Sequence, residues 1–326
     1  MNPFRHRPVL LRETLEQLDL KPGMTVVDCT AGGGGHSRAM LERILPGGFL
    51  VAIDQDPEAL GAAEANLEDG LRATGFSGGG RKPYAMAHRN FSDIRDILGE
   101  LGIGCIDAAL MDLGVNSRQL DEGGRGFSYR HAGRLDMRMN PAAEGPSAYE
   151  VIRDYPEEEL DRVFREYGEE RWSRRIAQFI VRERERAPIE TTDQLVAVIK
   201  RAIPAGARAD GPHPARRSFM GLRILINREL EILPGAVADT IGFLAPKGRL
   251  AVITFHSLED AQIKAAFRKL AAGCECPKDF PVCVCGKVSQ GRILTGKPIL
   301  PDPTEIEDNP RSRSAQMRVF QKKKAT

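Results

Sequence analysis

The run from Thr25 to Ser37, TVVDCTAGGGGHS, constrains the fold more than any other stretch of the chain. Val26 and Val27 suit a buried parallel strand, Asp28 sits at its carboxyl end, and Gly32 to Gly35 let the backbone take positive φ and pass close to a ligand. The helix predicted from Ser37 to Ile44 turns its amide end toward that ligand. A second apolar run, FLVAID, ends at Asp54, about twenty residues beyond the glycines, where a Rossmann-type fold places an acid on a ribose diol. Strand, glycines, helix and acid together predict a site for a nucleoside-bearing cofactor, either a dinucleotide or S-adenosylmethionine.

The 326 residues, 41% hydrophobic, are long enough for two domains. Further strands are predicted at YAMAH, at CIDAALMDLGV with Asp112 at its carboxyl end, and at RLAVITF from Arg249 to Phe255. Phe91, just after the third strand, suits either the flat face of an adenine or the core. Asn116 to Arg130 is polar and glycine-rich and reads as a loop over a site. From Pro146 to about Pro204 the period is helical, with capping boxes at Ser147/Glu150 and Thr191/Gln194. The basic runs there, Arg171/Arg174/Arg175 and Arg182/Arg184/Arg186, alternate with Glu and read as a salt-bridged solvated face, RNA contact being the sharper alternative. One helix is predicted from Arg216 to Leu233, and Ser257 with Asp260 is predicted to cap the helix after the fifth strand. The resulting division is 1–115, a helical insertion at 116–215, and 216–326, the outer two parts forming one sheet domain.

A formal charge of +2 leaves any nucleic-acid affinity to local clusters. Arg216, Arg217 and Arg223 form one, and Arg311 and Arg313 beside two serines could meet phosphate, whereas the terminal lysines read as a frayed tail. His256 and Ser257, at a strand end facing the crevice, are candidates for substrate contact. No apolar run is long enough to span a bilayer and the opening MNPFRHRPVLL is too charged for a secretory leader, so a cytoplasmic protein without membrane contact is expected. Of six cysteines, four lie in two C-x-C pairs between Cys274 and Cys285. That spacing is tighter than a C-x-x-C knuckle and favours reduced thiols over zinc, so no metal is expected.

CTAGGGGHS, AIDQDP, MDLGVNSRQLDEGGRGFSYRHAGRLDMRM, YGEERWSRRIA, FHSLED and NPRSRSAQMR together resemble one family nearly end to end. It is the S-adenosylmethionine-dependent methyltransferases of the RsmH or MraW type, which modify the N4 amine of a cytosine in 16S ribosomal RNA. The resemblance implies a Rossmann-like class I methyltransferase α/β fold with a mostly parallel sheet and an inserted all-helical, substrate-recognising subdomain. It also implies that Gly34, Gly35 and His36 contact the cofactor, Asp54 its ribose, Phe91 its adenine region, and Asp112 and Gln119 the remainder. Two positions depart from the family pattern: Gly33 stands where a basic residue is frequent, and Asn116 where serine is usual. In the implied mechanism Asp112 and nearby carbonyls hold the target amine, and Phe127 or Tyr129 could clamp the base. The substrate would be the 16S RNA within the small ribosomal subunit, and the enzyme a monomer or homodimer. Two rivals stand beside this reading, a nicotinamide dehydrogenase on the same fold and a non-catalytic RNA-binding assembly factor.

Overall fold

A computed structural model of the chain describes residues 8–76, 82–208, 212–274, 276–277, 280, 282 and 284–324. Five strands run parallel: β1 (Thr25–Asp28), β2 (Phe49–Asp54), β3 (Tyr84–His88), β4 (Ile106–Asp112) and β5 (Leu244–Thr254). With β6 (Gly291–Ile293) and β7 (Gln316–Lys322) they form one sheet of order β3-β2-β1-β4-β5-β7-β6, in which β7 is antiparallel to both neighbours.

The central strands are apolar on both faces because both faces are covered. Val26, Leu50, Leu110 and Ile253 pack against Met40, Leu41 and Ile44 of the helix Gly35–Ile44 and Leu67 of Pro57–Thr74. Alternate residues, Val27, Val51, Met111 and Val252, face Ile97 of Ile94–Glu100, Ile241 of Glu229–Phe243, and Ile263 and Phe267 of Ser257–Ala271. From β1 the chain builds β2 and β3 on one side, then returns to place β4 on the other. This reversal opens a crevice at the carboxyl ends of β1 and β4, the place where such sheets hold ligands.

The chain divides into two compact units, Met1–Gly114 with Ile232–Thr326, and Val115–Glu231. The second is helical: Ala148–Asp154, Glu157–Glu166, Ser173–Arg184, Thr192–Ala202 and Arg216–Ile226 bury Leu160, Val163, Phe164, Ile176, Ile180, Leu195, Phe219 and Leu222 together. The helix Ala148–Asp154 starts at the expected box, where Glu150 Oε2 accepts from the Ser147 amide at 2.7 Å. At the last but one, Gln194 Oε1 accepts from the Thr191 amide at 3.1 Å. Among the described residues no helix is long and apolar enough to cross a membrane.

In its architecture the structure departs from the sequence reading at several places. The helix expected from Arg216 to Leu233 is two, broken at Asn227 and at Arg228, whose φ is 52°. Asn227 holds the break by accepting from the Met139 amide at 2.8 Å and donating to the Met137 carbonyl at 2.9 Å. Because Phe219 and Leu222 belong to the helical core, Arg216 and Arg217 lie in the helical unit, and the second boundary falls at 231/232 where 215/216 was expected. The loop expected from Asn116 opens with a helix, Ser117–Asp121, through a box the pattern N-x-x-Q already contained: Asn116 Oδ1 accepts from the Gln119 amide at 2.9 Å. Finally, the expected lysine tail ends a strand. Met317, Val319 and Phe320 of β7 are buried, and Lys322 Nζ donates to the Ile241 carbonyl at 2.8 Å.

Candidate active site

Three consecutive strand ends bring carboxyl groups to the crevice edge, and each is tied to the glycine turn or to its neighbour. At the end of β1, Asp28 is fully buried; its Oδ2 accepts from Ser37 Oγ at 2.6 Å and its Oδ1 from the Thr30 amide at 3.2 Å. At the end of β2, Asp54 accepts from the Gly32 amide at 2.7 Å and from the Asp56 amide at 2.9 Å. The acid predicted to meet a ribose thus also fixes the first glycine of the turn. At the end of β4, the Asp112 amide donates to Thr30 Oγ1 at 2.7 Å, which binds the loop after β1 to the switch point.

Glycine is required at Gly34 for two reasons. Its φ is 79°, and a Cβ there would lie 2.7 Å from Ala63 Cα on the helix Pro57–Thr74. A Cβ at Gly35 would collide with the Pro8 ring, whereas one at Gly33 would meet nothing within 4 Å, so a side chain at that position would have room. His36 is buried, with Nε2 3.0 Å from the Val9 carbonyl. A carbonyl can only accept, so Nε2 carries a hydrogen, and Nδ1 lies 3.6 Å from Asp112 Oδ2.

Electrostatics sets this edge apart. Burial pushes the Asp28 carboxyl up to about 6, against the opposing pull of Ser37 and the Thr30 amide. Burial likewise raises Asp54 to about 6 although two amides point at it. Asp112 is raised well above the usual carboxylate range, first by burial and then by the charges of Asp28 and Glu259. Its side chain keeps 21% of its surface open, yet Oδ1 is buried and, among the described residues, meets no hydrogen-bond partner. A buried carboxyl oxygen left unsatisfied costs stability, and a bound ligand with a donor would satisfy it.

Asp28 was legible as a strand-end acid but received no role from the sequence, and its burial has a measurable consequence. A carboxyl whose folded value lies above its unfolded one stabilises the fold fully at pH below the unfolded value, and that contribution is lost as pH rises through about 6. At pH 8 the ionised, buried group costs about 3 kcal/mol. Asp28→Asn keeps a carbonyl for the Thr30 amide and removes the charge. It is expected to stabilise the protein at pH 8 by about 1–3 kcal/mol and to flatten the pH dependence between about 4 and 6. Urea titrations at pH 5 and pH 8 measure this; a variant weaker than the parent at pH 8 would show that the carboxylate is favoured where it lies.

The other predicted residues fall as follows. Phe91 starts a short 3-10 turn beside β3 and packs, half-buried, on the core that holds Ile94. His256 caps its own helix in place of the expected Ser257: the Glu259 amide points at His256 Nδ1 at 3.4 Å, and Glu259 Oε2 accepts from the Phe255 amide at 2.7 Å. Asp260, the other half of the expected box, pairs instead with Arg318 through two contacts of 2.6 and 2.8 Å. Arg311 and Arg313 are exposed on the turn Pro310–Ser314. Gln316 follows that turn and pairs with Thr254, which puts both arginines beyond the carboxyl edge of β5, the edge that carries His256.

In the helical unit, Gln119 is buried and its Oε1 accepts from the Asn116 amide at 3.1 Å. Arg216 and Arg217 begin an exposed helix turn, with Arg217 Nη1 donating to the Glu169 carbonyl at 3.0 Å. Arg223 instead pairs with Glu229 through contacts of 2.8 and 2.9 Å. Phe127 is in the core and Tyr129 stacks on His213, 4.6 Å between centroids, so both rings are committed within the unit.

The expected salt-bridged face is not what the helix Ser173–Arg184 shows. Glu183 pairs with Arg201 at 2.7 Å and Glu170 turns inward to the Trp172 amide at 2.9 Å. Arg171, Arg174, Arg175 and Arg182 are left exposed, with no carboxylate within 4.0 Å among the described residues. With Trp172 and Phe179 they line an open groove of about 460 Å³, and the Arg175 guanidinium lies 5.3 Å from the Phe179 ring centre. Residues 175, 178 and 182 share one helical stripe, the spacing that places them on a single face, and Arg171 lies just before the helix.

Sheet order, glycine turn and acids at three adjoining strand ends define a Rossmann-like α/β protein of the nucleoside-cofactor class with a helical insertion after β4. A profile of the MraW methylase family matches residues 3–323, and the chain belongs to that family. It is 50% identical over 323 residues to the ribosomal RNA small subunit methyltransferase H of Symbiobacterium thermophilum, covering 99% of this chain and 98% of that one. It is 49% identical over 319 residues to the protein of the same name from Clostridium botulinum strain Loch Maree, covering 98% and 99%. A solved rRNA methylase of Streptococcus thermophilus is similar at 11% identity with a TM-score of 0.41, covering 98% of this chain and 99% of that one.

Proposed function

We propose that this chain transfers a methyl group from S-adenosylmethionine to the N4 amine of a cytosine in 16S ribosomal RNA, with the small ribosomal subunit as its substrate. The observation that carries the reading is the buried, unpartnered Oδ1 of Asp112 at the switch point, beside a glycine turn already anchored by Asp54. The two relatives above, named as small-subunit ribosomal RNA methyltransferases, support the substrate class.

The residues fit the cofactor. The turn Gly32–Gly34 and the amide end of the helix after it would hold its polar groups, and Asp54 would accept from the ribose hydroxyls. When bound, S-adenosylmethionine supplies an electrophilic methyl group on sulfur. The chain's own task is to prepare the amine. The N4 lone pair of cytosine is delocalised into the ring, so an acceptor beside the amine must favour a pyramidal nitrogen. Asp112 has an oxygen to give to this. Burial makes its carboxylate a stronger base than an exposed aspartate, suited to holding a proton as the nitrogen loses one. Orientation contributes the rest, effective molarities on the order of 10⁵ M being reached in well-aligned systems.

The groove of the helical unit would meet the RNA: four guanidiniums without a carboxylate partner among the described residues for phosphates, with Trp172 and Phe179 for an unstacked base. Trp172 is the sole tryptophan of the chain, so its emission reports on this groove alone. Titration with single-stranded RNA is expected to quench it saturably. Replacing all four arginines with glutamine should lower the slope of log K against log salt by about 3. An unchanged slope would remove the groove from RNA binding.

The activity is tested by incubating labelled S-adenosylmethionine with unmethylated small subunits and mapping the product by mass spectrometry. Label on the N4 of one cytosine supports the reading; label elsewhere, or none, overturns it. Thermal protection by S-adenosylhomocysteine and not by NAD separates it from a dehydrogenase.

A further inference from the structure

Between the helix Ser257–Ala271 and β6 the described residues form no helix or strand, and they expose Phe280, Val282, Val284 and Val288, Val284 to 74%. A stretch that buries so little apolar surface needs another constraint to hold a conformation. Three thiols converge within it. The sulfurs of Cys274, Cys276 and Cys285 all lie within 4.8 Å of one another, with Cys274 and Cys285 3.8 Å apart.

That separation is far beyond a disulfide bond of about 2.0 Å. It equals the edge of a tetrahedron, ~3.8 Å, around a zinc ion with Zn–S bonds of about 2.3 Å. Two backbone amides also point at sulfur: that of Cys276 donates to Cys274 Sγ at 3.4 Å, and that of Val284 to Cys276 Sγ at 3.3 Å. Amide donors on sulfur favour the thiolate, the form that binds metal.

We propose that Cys274, Cys276 and Cys285 bind one zinc ion as thiolates, forming a structural centre that staples this segment. Each thiol gives its proton to solvent as its sulfur takes the metal, so uptake releases protons and strengthens with pH. Soft sulfur donors select zinc over magnesium or calcium. The tightness of C-x-C argued against zinc at the level of sequence, but the convergence joins Cys285 to Cys274 and Cys276 and is not a property of one C-x-C pair alone. The site draws on no residue of the crevice.

The test uses the full-length chain, purified without chelator and analysed for metals by plasma mass spectrometry. About one zinc per chain is expected, released by a mercurial with the matching number of thiols. A Cys274→Ser/Cys285→Ser variant should lose the zinc, and Cys105→Ser, at an exposed thiol outside the cluster, should keep it. Cobalt added to the stripped protein should give the visible bands of a tetrahedral thiolate site. Iron or copper in place of zinc, metal-free protein that takes up no added zinc, equal zinc in the double variant, or a disulfide among these cysteines would each overturn the proposal. Circular dichroism of the double variant separates loss of the ligands from loss of the fold.

Discussion

Asp112→Ala is expected to lower the single-turnover rate of methyl transfer by roughly 10²–10³-fold, the usual consequence of removing one positioned polar group from a reacting centre. The fold should tolerate it. The carboxyl is unsatisfied at Oδ1 and raised by burial, so its loss removes a strained charge, while the Asp112 amide still donates to Thr30 Oγ1. Asp112→Asn separates two roles: an amide oxygen still orients the amine but holds a proton poorly, so an asparagine variant as slow as alanine points to the proton and an intermediate rate to orientation. In the parent the rate should fall on the acid side, because burial raises the group and only its ionised form accepts. An unimpaired single-turnover rate in Asp112→Ala would take the residue out of the mechanism.

Asp54→Ala is expected to weaken S-adenosylmethionine binding by about 100-fold or more, as the loss of two charge-assisted hydrogen bonds to a ribose diol implies. The variant also frees the Gly32 and Asp56 amides, which loosens the turn that the cofactor must find ordered. The pH dependence has a definite sign. With the carboxyl raised to about 6, affinity in the parent should hold above that value and fall about tenfold per unit below it, since a neutral carboxyl accepts poorly. Calorimetry across this range reads both effects; unchanged affinity in the variant would refute the assignment of Asp54 to the ribose.

The strands could be read from the chain because each is a short apolar run ending in an acid or a turn, and because burial on both faces demands such runs. The strand-end acids Asp28, Asp54 and Asp112 needed only that rule. β7 escaped because its apolar positions, Met317, Val319 and Phe320, are interrupted by Arg318 and followed by lysines. Nothing local shows that Arg318 will be neutralised by Asp260, 58 residues earlier in the chain. The arginines of the helical unit misled for the converse reason. Neighbouring glutamates in sequence look like partners, yet Glu183 is taken by Arg201 and Glu170 by a backbone amide.

What the amino-acid order determined by itself was local: the period of each element, most of the caps, and the glycine-to-acid spacing that selects a nucleoside crevice. Only the tertiary structure decided which charges stay paired, which carboxyls are lifted by burial, and which thiols meet. Hydrogen-bond geometry within a turn depends on residues a few places apart. Desolvation and ion pairing depend on whatever the fold brings alongside, at any distance in the chain.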